Sequence, residues 1–169
     1  MKIRCDFITN SSSSSYIIAT RNELTTKILK SLIDCSSKAV IESYINIIND
    51  NIEEATYKEA LQLVTDGLFS KIYHDKYDEL AKSIDDYNEL IKLSDKLASN
   101  ESSATADSIM SKYANYNFYL ASFSDHNSPL EAELDNNEVF KGCHRNNGST
   151  SFHINTTNKD VLIIYINQH

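Results

Sequence analysis

The scarcity of residues that break regular structure is the feature of this sequence that most constrains its fold. Proline occurs once, at Pro129, and glycine three times, at Gly67, Gly142 and Gly148, in 169 residues. Because these residue types form many tight turns and helix ends, we expect long helices and few tight loops. With 41% hydrophobic and 24% charged residues, the chain has the length and composition of one folded domain.

Segments with the alternating pattern of β-strands lie at both ends of the chain. Residues 2–8 and 16–20 flank a polar stretch, and they predict an N-terminal β-hairpin within residues 1–20. Residues 108–169 are predicted to be mainly β, with strands at 116–124, 138–145, 149–155 and 161–167. Asn147-Gly148 predicts a type I′ turn, and the apolar last segment predicts an interior strand.

Residues 21–98 carry helical periodicity instead. A first helix is predicted from Arg21, capped by Asn22, a second over 39–48, and a third over 53–65 that ends at Gly67. The clearest pattern is an apolar heptad stripe, which predicts one long amphipathic helix over 73–98. The stripe consists of Tyr73, Tyr77, Leu80, Ile84, Tyr87 and Ile91.

A polar loop is predicted at 99–107, where small and polar residues show no periodicity. The order of strands, helices and strands predicts an α+β fold. In it, the N-terminal hairpin and the C-terminal antiparallel strands form one sheet, packed against a central antiparallel helical bundle.

The negative charge is concentrated in the helical region. Residues 42–101 hold six Lys and Arg against fourteen Asp and Glu, and the whole chain has a net charge of −8. This disfavours direct binding to nucleic acid and favours a basic protein partner, although such carboxylates are often only the solvated face of a helix. The predicted partner-binding residues are Glu53, Glu54, Asp78, Glu79, Asp85 and Asp86, with Tyr113, Tyr116 and Tyr119 as a second surface.

The alternative is a small enzyme that uses a cysteine and a histidine. Cys143 with His126, His144 or His153 would form a thiolate–imidazole pair if the two side chains came within hydrogen-bond reach. Adjacent Cys143 and His144 would point to opposite faces of a strand and lack metal-ligand spacing, so we predict no metal site. We also predict no cofactor, since the phosphate-binding GxxxxGK pattern is absent from the sequence.

Three widely spaced cysteines, Cys5, Cys35 and Cys143, leave one unpaired in any disulfide scheme and favour a reducing compartment. The N-terminal residues lack the apolar run of a signal peptide, and no apolar run in the sequence is long enough to span a membrane. We therefore expect a protein of the bacterial cytoplasm with no membrane partner.

The first eighteen residues, MKIRCDFITNSSSSSYII, resemble an N-terminal signature of a group of bacterial and phage proteins, approximately MKIRxDFVTNSSSSSF. The differences are Cys5, Ile8 and Tyr16. The resemblance implies no particular activity. The serine tract is interpreted as a solvated hairpin loop, or alternatively as a loop that binds a ligand or is modified. The tract consists of Ser11, Ser12, Ser13, Ser14 and Ser15.

Taken together, these features favour a non-enzymatic acidic inhibitor encoded by a phage or mobile element. Its acidic helical region would occupy a basic surface on a nucleic-acid-binding host protein, such as a defence protein, and act as a nucleic-acid mimic.

Overall fold

A computed structural model describes most of the helical region and five strands of the chain. The described residues are 13–32, 42, 45, 46, 49, 50, 52–124, 151–155 and 160–168. The strands are β1 (Ser13–Thr20), β2 (Ile52–Ala55), β3 (Asn117–Ser124), β4 (Ser151–Asn155) and β5 (Val161–Gln168). The helices are α1 (Thr26–Leu32), α2 (Tyr57–Leu80) and α3 (Tyr87–Met110), and a 3₁₀ turn follows at Ser111–Tyr113.

The described strands form one antiparallel sheet in the order β2-β3-β1-β5-β4. Strands from both ends of the chain therefore share one sheet with a helical pair packed against it, which confirms the predicted α+β fold. β5 lies between β1 and β4, as its apolar sequence predicts. β3 and β5 occupy both edges of β1 along its whole length. Residues 2–8, predicted as its hairpin partner, lie outside the described residues, as do 138–145 and the predicted turn at 146–148.

The central strand β1 is longer than its apolar residues indicate. Ser13, Ser14 and Ser15 are its first residues and pair with both β3 and β5, so the prediction of a loop was wrong for these three. Ser11 and Ser12 lie outside the described residues. From Tyr16 to Thr20 every residue is at most 1% exposed, so both faces of the sheet are covered at its centre.

Helix α2 packs on one face of this sheet. Ile17 of β1 and Ile164 of β5 share a buried cluster with Ala60 and Val64 of α2 and with Met110 of α3. On the opposite face, the backbone N–H of Leu24 donates a hydrogen bond of 2.9 Å to the hydroxyl of Tyr119 on β3. The segment that follows β1 is thereby fixed to this second face.

Side-chain caps determine where the two long helices begin. Thr56 and Glu59 form a reciprocal capping box at the start of α2. The hydrogen bonds that Glu59 accepts from the backbone N–H and the hydroxyl of Thr56 hold the pKa of that carboxyl below its ordinary value. Asp86 caps α3 by accepting a hydrogen bond of 2.9 Å from the backbone N–H of Glu89.

Two of the shorter predicted helices begin elsewhere. The prediction of a helix at 53–56 was wrong, because Glu53 and Glu54 belong to β2, which pairs with β3. The prediction of Asn22 as a cap was also wrong. Thr25 accepts the hydrogen bond from the backbone N–H of Ile28 at the start of α1. Within the predicted second helix over 39–48, the described residues 42, 45 and 46 are helical, as are residues 49 and 50 after it. Ile45 is buried.

The predicted helix over 73–98 is in fact divided between α2 and α3. α2 continues through Gly67, which is buried inside it, so the predicted stop at this glycine was wrong. Glycine inside a helix lowers stability by only about 1 kcal/mol relative to alanine. The packing of α2 offsets this cost. The chain then turns over residues 81–86 before α3 begins, and the heptad stripe crosses this turn.

The predicted polar loop at 99–107 is also wrong, since these residues form the second half of α3. Buried residues recur along α3 at every fourth position, and four of the six are Ser or Ala. They are Leu90, Ser94, Ala98, Ser102, Ala106 and Met110. Residues four apart form one ridge of a helix, and small side chains on such a ridge let a neighbouring helix approach closely.

Ser94 is an unfavourable residue within this ridge. Its side chain is fully buried, and its hydroxyl has no hydrogen-bond partner among the residues that the structure describes. An unsatisfied buried polar group costs about 1–3 kcal/mol, so Ser94→Ala is expected to raise the free energy of unfolding by roughly 1–2 kcal/mol in urea titrations. Ser103→Ala, at an exposed position of the same helix, measures helix propensity alone. An equal effect of the two substitutions would contradict the unsatisfied hydroxyl.

Candidate functional site

The turn between α2 and α3 carries four of the predicted partner-binding carboxylates. Asp78 and Glu79 lie in the last turn of α2, and Asp85 and Asp86 lie in the connection to α3. All four are exposed. We call these four residues the acidic tip. The adjacent Tyr87 is 64% exposed, so a large aromatic ring accompanies the carboxylates on this surface.

One lysine partly neutralises the acidic tip. The Nζ atom of Lys76 lies 3.8 Å from a carboxylate oxygen of Glu79 and 3.2 Å from one of Glu101 on α3. This bridge links the two helices. The other three carboxylates of the acidic tip have no ion pair with a residue that the structure describes, so the surface keeps most of its negative charge.

Glu53 and Glu54 do not belong to the acidic tip. They lie on β2, which precedes the first residue of α2, whereas the acidic tip begins in the last turn of that helix. A helix of 24 residues is about 36 Å long. The predicted acidic residues therefore form two separate groups at opposite ends of α2 rather than one continuous surface.

A concave site lies near the second group, where β2 ends and β3 begins. It has a volume of about 400 Å³, and we call it the tyrosine cleft. Of the predicted residues, the structure brings Glu54, Tyr116 and Tyr119 together here. The full lining consists of Glu23, Glu54, Ala55, Tyr57, Tyr116, Asn117, Phe118 and Tyr119.

The margin of the tyrosine cleft is held by a charged and aromatic cluster. The Nε–H of Arg21 donates a hydrogen bond of 2.8 Å to the hydroxyl of Tyr116, and this bond raises the pKa of Arg21. The same Nε atom lies 3.7 Å from a carboxylate oxygen of Asp160. Tyr113 packs edge-on against Tyr116, with ring centroids 5.2 Å apart. Tyr113 and Tyr116 are thus both half-buried.

Tyr119 differs from the other two tyrosines. It is only 6% exposed, and its hydroxyl accepts the hydrogen bond from Leu24. Tyr119 is therefore not an exposed member of the predicted second surface. Its hydroxyl joins the sheet to the segment after β1. Tyr57 supports the cleft from the start of α2, since its ring packs edge-on against Phe118 at 5.8 Å.

Most residues of the alternative enzyme prediction lie outside the part of the chain that the structure describes. Cys143, His126 and His144 lie outside the described residues, and His153 belongs to β4. Within the part of the chain that the structure describes, no group of three His, Cys, Asp or Glu side chains is arranged to hold a metal ion. None of the described helices is long and apolar enough to cross a membrane.

No family model matches this sequence, and neither the curated proteins nor the solved structures contain a match to it.

Three residues that line the tyrosine cleft were not predicted from the sequence: Glu23, Tyr57 and Asn117. They come from three separate segments, the loop after β1, the start of α2 and the start of β3. The pairing of β3 with both β1 and β2 brings these segments to one place. Of these three residues, only Tyr57 had a sequence signal for its position. Thr56 and Glu59 have the spacing of a capping box, which predicts that a helix begins at Tyr57.

Proposed function

We propose that the protein binds a basic surface of another protein through its acidic tip. This proposal rests on the exposure of four carboxylates around the turn between α2 and α3, beside the exposed ring of Tyr87. Interfaces favour aromatic side chains at their centre, and complementary charge accelerates encounter. The partner class that fits is a nucleic-acid-binding protein whose basic groove the acidic tip occupies, so that binding inhibits it.

The form of the two-helix hairpin supports this proposal. The last buried residue of α2 is Leu68, so its last twelve residues pack less deeply than its first half. The acidic tip lies at the end of this less buried half, away from the core residues Ala60 and Val64. A surface at the end of a helical pair can enter a groove without a rearrangement of the sheet.

The test is partner capture from a nuclease-treated bacterial lysate. A tip-amide variant, in which Asp78, Asp85 and Asp86 become Asn and Glu79 becomes Gln, removes the charge and keeps the shape. Asn at position 86 still caps α3, because Asn is as good a helix cap as Asp. We expect the wild type to recover a basic protein that the tip-amide variant recovers at least fivefold less.

A matched control removes the same charge elsewhere. Four other exposed carboxylates, Glu42, Asp50, Asp95 and Asp107, are changed to Gln or Asn in one variant. This control is expected to recover the same protein as the wild type. If both variants lost the captured protein equally, binding would depend on net charge alone. If all three proteins recovered it equally, the result would contradict a role for the acidic tip.

A further inference from the structure

The tyrosine cleft is a second surface, and it does not depend on the function proposed for the acidic tip. We propose that it is a binding site for an organic cation, an alkyl guanidinium or alkyl ammonium group. Its volume of about 400 Å³ lies within the range of about 300–1,000 Å³ usual for small-ligand pockets. It lies at the other end of α2 from the acidic tip, so the two surfaces can be tested separately.

Two carboxylates give the cleft its charge preference. Glu23 and Glu54 reach it from different segments, and neither makes an ion pair with any residue in the described part of the chain. The positive charge of Arg21 at the margin is offset by Asp160 beside it. The cleft therefore has an excess of negative charge, which favours a cation over an anion or a neutral ligand.

Aromatic rings provide a second attraction for a cation in the cleft. Tyr57, Tyr116 and Tyr119 all line the cleft, and the face of an aromatic ring attracts a guanidinium or ammonium group within about 6 Å. The protein already makes such a contact, because the guanidinium carbon of Arg21 lies 5.6 Å from the centroid of the Tyr116 ring. A guanidinium is thus compatible with the aromatic side chains at this site.

The hydroxyl of Tyr119 narrows the ligand class further. It accepts a hydrogen bond from Leu24, and a phenol hydroxyl has in addition one hydrogen to donate. That hydrogen has no acceptor among the described residues. A ligand with a carbonyl oxygen near its cationic group would accept it. An arginine or lysine side chain together with its own peptide carbonyl has this combination.

The test is a calorimetric titration of the full chain with N-acetyl-arginine-N-methylamide, which has one positive charge and two peptide carbonyls. The probe for comparison is the citrulline derivative, which is nearly the same shape but neutral. We expect saturable binding of the arginine derivative and at least fivefold weaker binding of the citrulline derivative, because only the first makes ion-pair and cation–π contacts. Equal binding of the two probes would overturn the proposal.

Variants connect the binding to the cleft. The double substitution Glu23→Gln and Glu54→Gln is expected to weaken binding of the arginine derivative about fivefold. Glu53→Gln is the matched control, because Glu53 is the exposed neighbour of Glu54 on β2 and does not line the cleft. It should leave binding unchanged. Wild-type affinity in the double variant would place the cation elsewhere and overturn the proposal.

Two further probes distinguish the sources of such a cation. If a blocked pentapeptide with a central arginine binds more tightly than the arginine derivative, the cation belongs to a partner polypeptide. If spermidine binds more tightly, the site takes a free amine. The tip-amide variant should bind each probe like the wild type, so a failure of the cleft is distinguishable from a failure of the acidic tip.

Discussion

Replacing Ile17 by alanine is expected to lower the free energy of unfolding by about 2–5 kcal/mol. Ile17 is 0% exposed and lies on the central strand β1, in the cluster shared with α2, α3 and β5. Its truncation leaves a cavity that the close-packed sheet and helices fill only partly. Urea unfolding followed by circular dichroism measures the change, which is large beside a total stability of about 5–15 kcal/mol.

Ile17→Val is the control for this result. It removes one methylene group and should cost only about 0.5–1.5 kcal/mol. A similarly small cost for Ile17→Ala would contradict the position of β1 at the centre of the core.

The second large effect is expected where α2 and α3 meet. Ala98 is 0% exposed and belongs to the ridge of small residues on α3. Ala98→Leu adds three carbon atoms to a closely packed helix interface, and such overpacking costs about 1–3 kcal/mol. Urea unfolding should therefore show a destabilised protein, although leucine is itself a good helix former.

Ala104→Leu is the matched variant, because Ala104 is exposed on the same helix. It should change the stability by less than about 0.5 kcal/mol. If neither substitution changed the free energy of unfolding, the result would contradict the close approach of α2 and α3 over this part of the chain.

The strands with strong apolar character were the most predictable part of the fold. The apolar run 161–167 predicted β5 and its interior place in the sheet, and the alternation at 116–124 predicted β3 within one residue of its start. In these segments burial is achieved by large β-branched and aromatic side chains, whose pattern is visible in the sequence. The serines of β1 lack that pattern, and pairing on both sides makes them strand residues.

The helical hairpin was predicted less well because its burial depends on small residues. Ser94, Ala98 and Ser102 are fully or almost fully buried, but serine and alanine do not mark a buried face in a hydrophobicity pattern. The spacing of four from Leu90 to Met110 was readable, as were the capping signals at Thr56 and Asp86. The heptad stripe continues through residues 81–86, and these residues include neither glycine nor proline. The sequence pattern therefore did not indicate the turn between α2 and α3.

The two candidate surfaces differ in how far apart their residues lie in the sequence, and therefore in how well each could be predicted. The acidic tip is local in sequence, because all its members lie within residues 78–86, so the charge pattern predicted that group directly. The tyrosine cleft is formed from segments that are far apart in the chain. Glu23 lies thirty-one residues before Glu54 in the sequence, and the pairing of β3 with both β1 and β2 brings the two residues to one cavity.

The most direct test of the central claim is the association rate between this protein and the captured partner at increasing salt concentration. Charge attraction at an interface is screened with a Debye length of about 10 Å at 0.1 M salt. We therefore expect the rate to fall with salt for the wild type and for the control variant, and to be slower and less salt-dependent for the tip-amide variant. The same rate and the same salt dependence in all three proteins would contradict docking through the acidic tip.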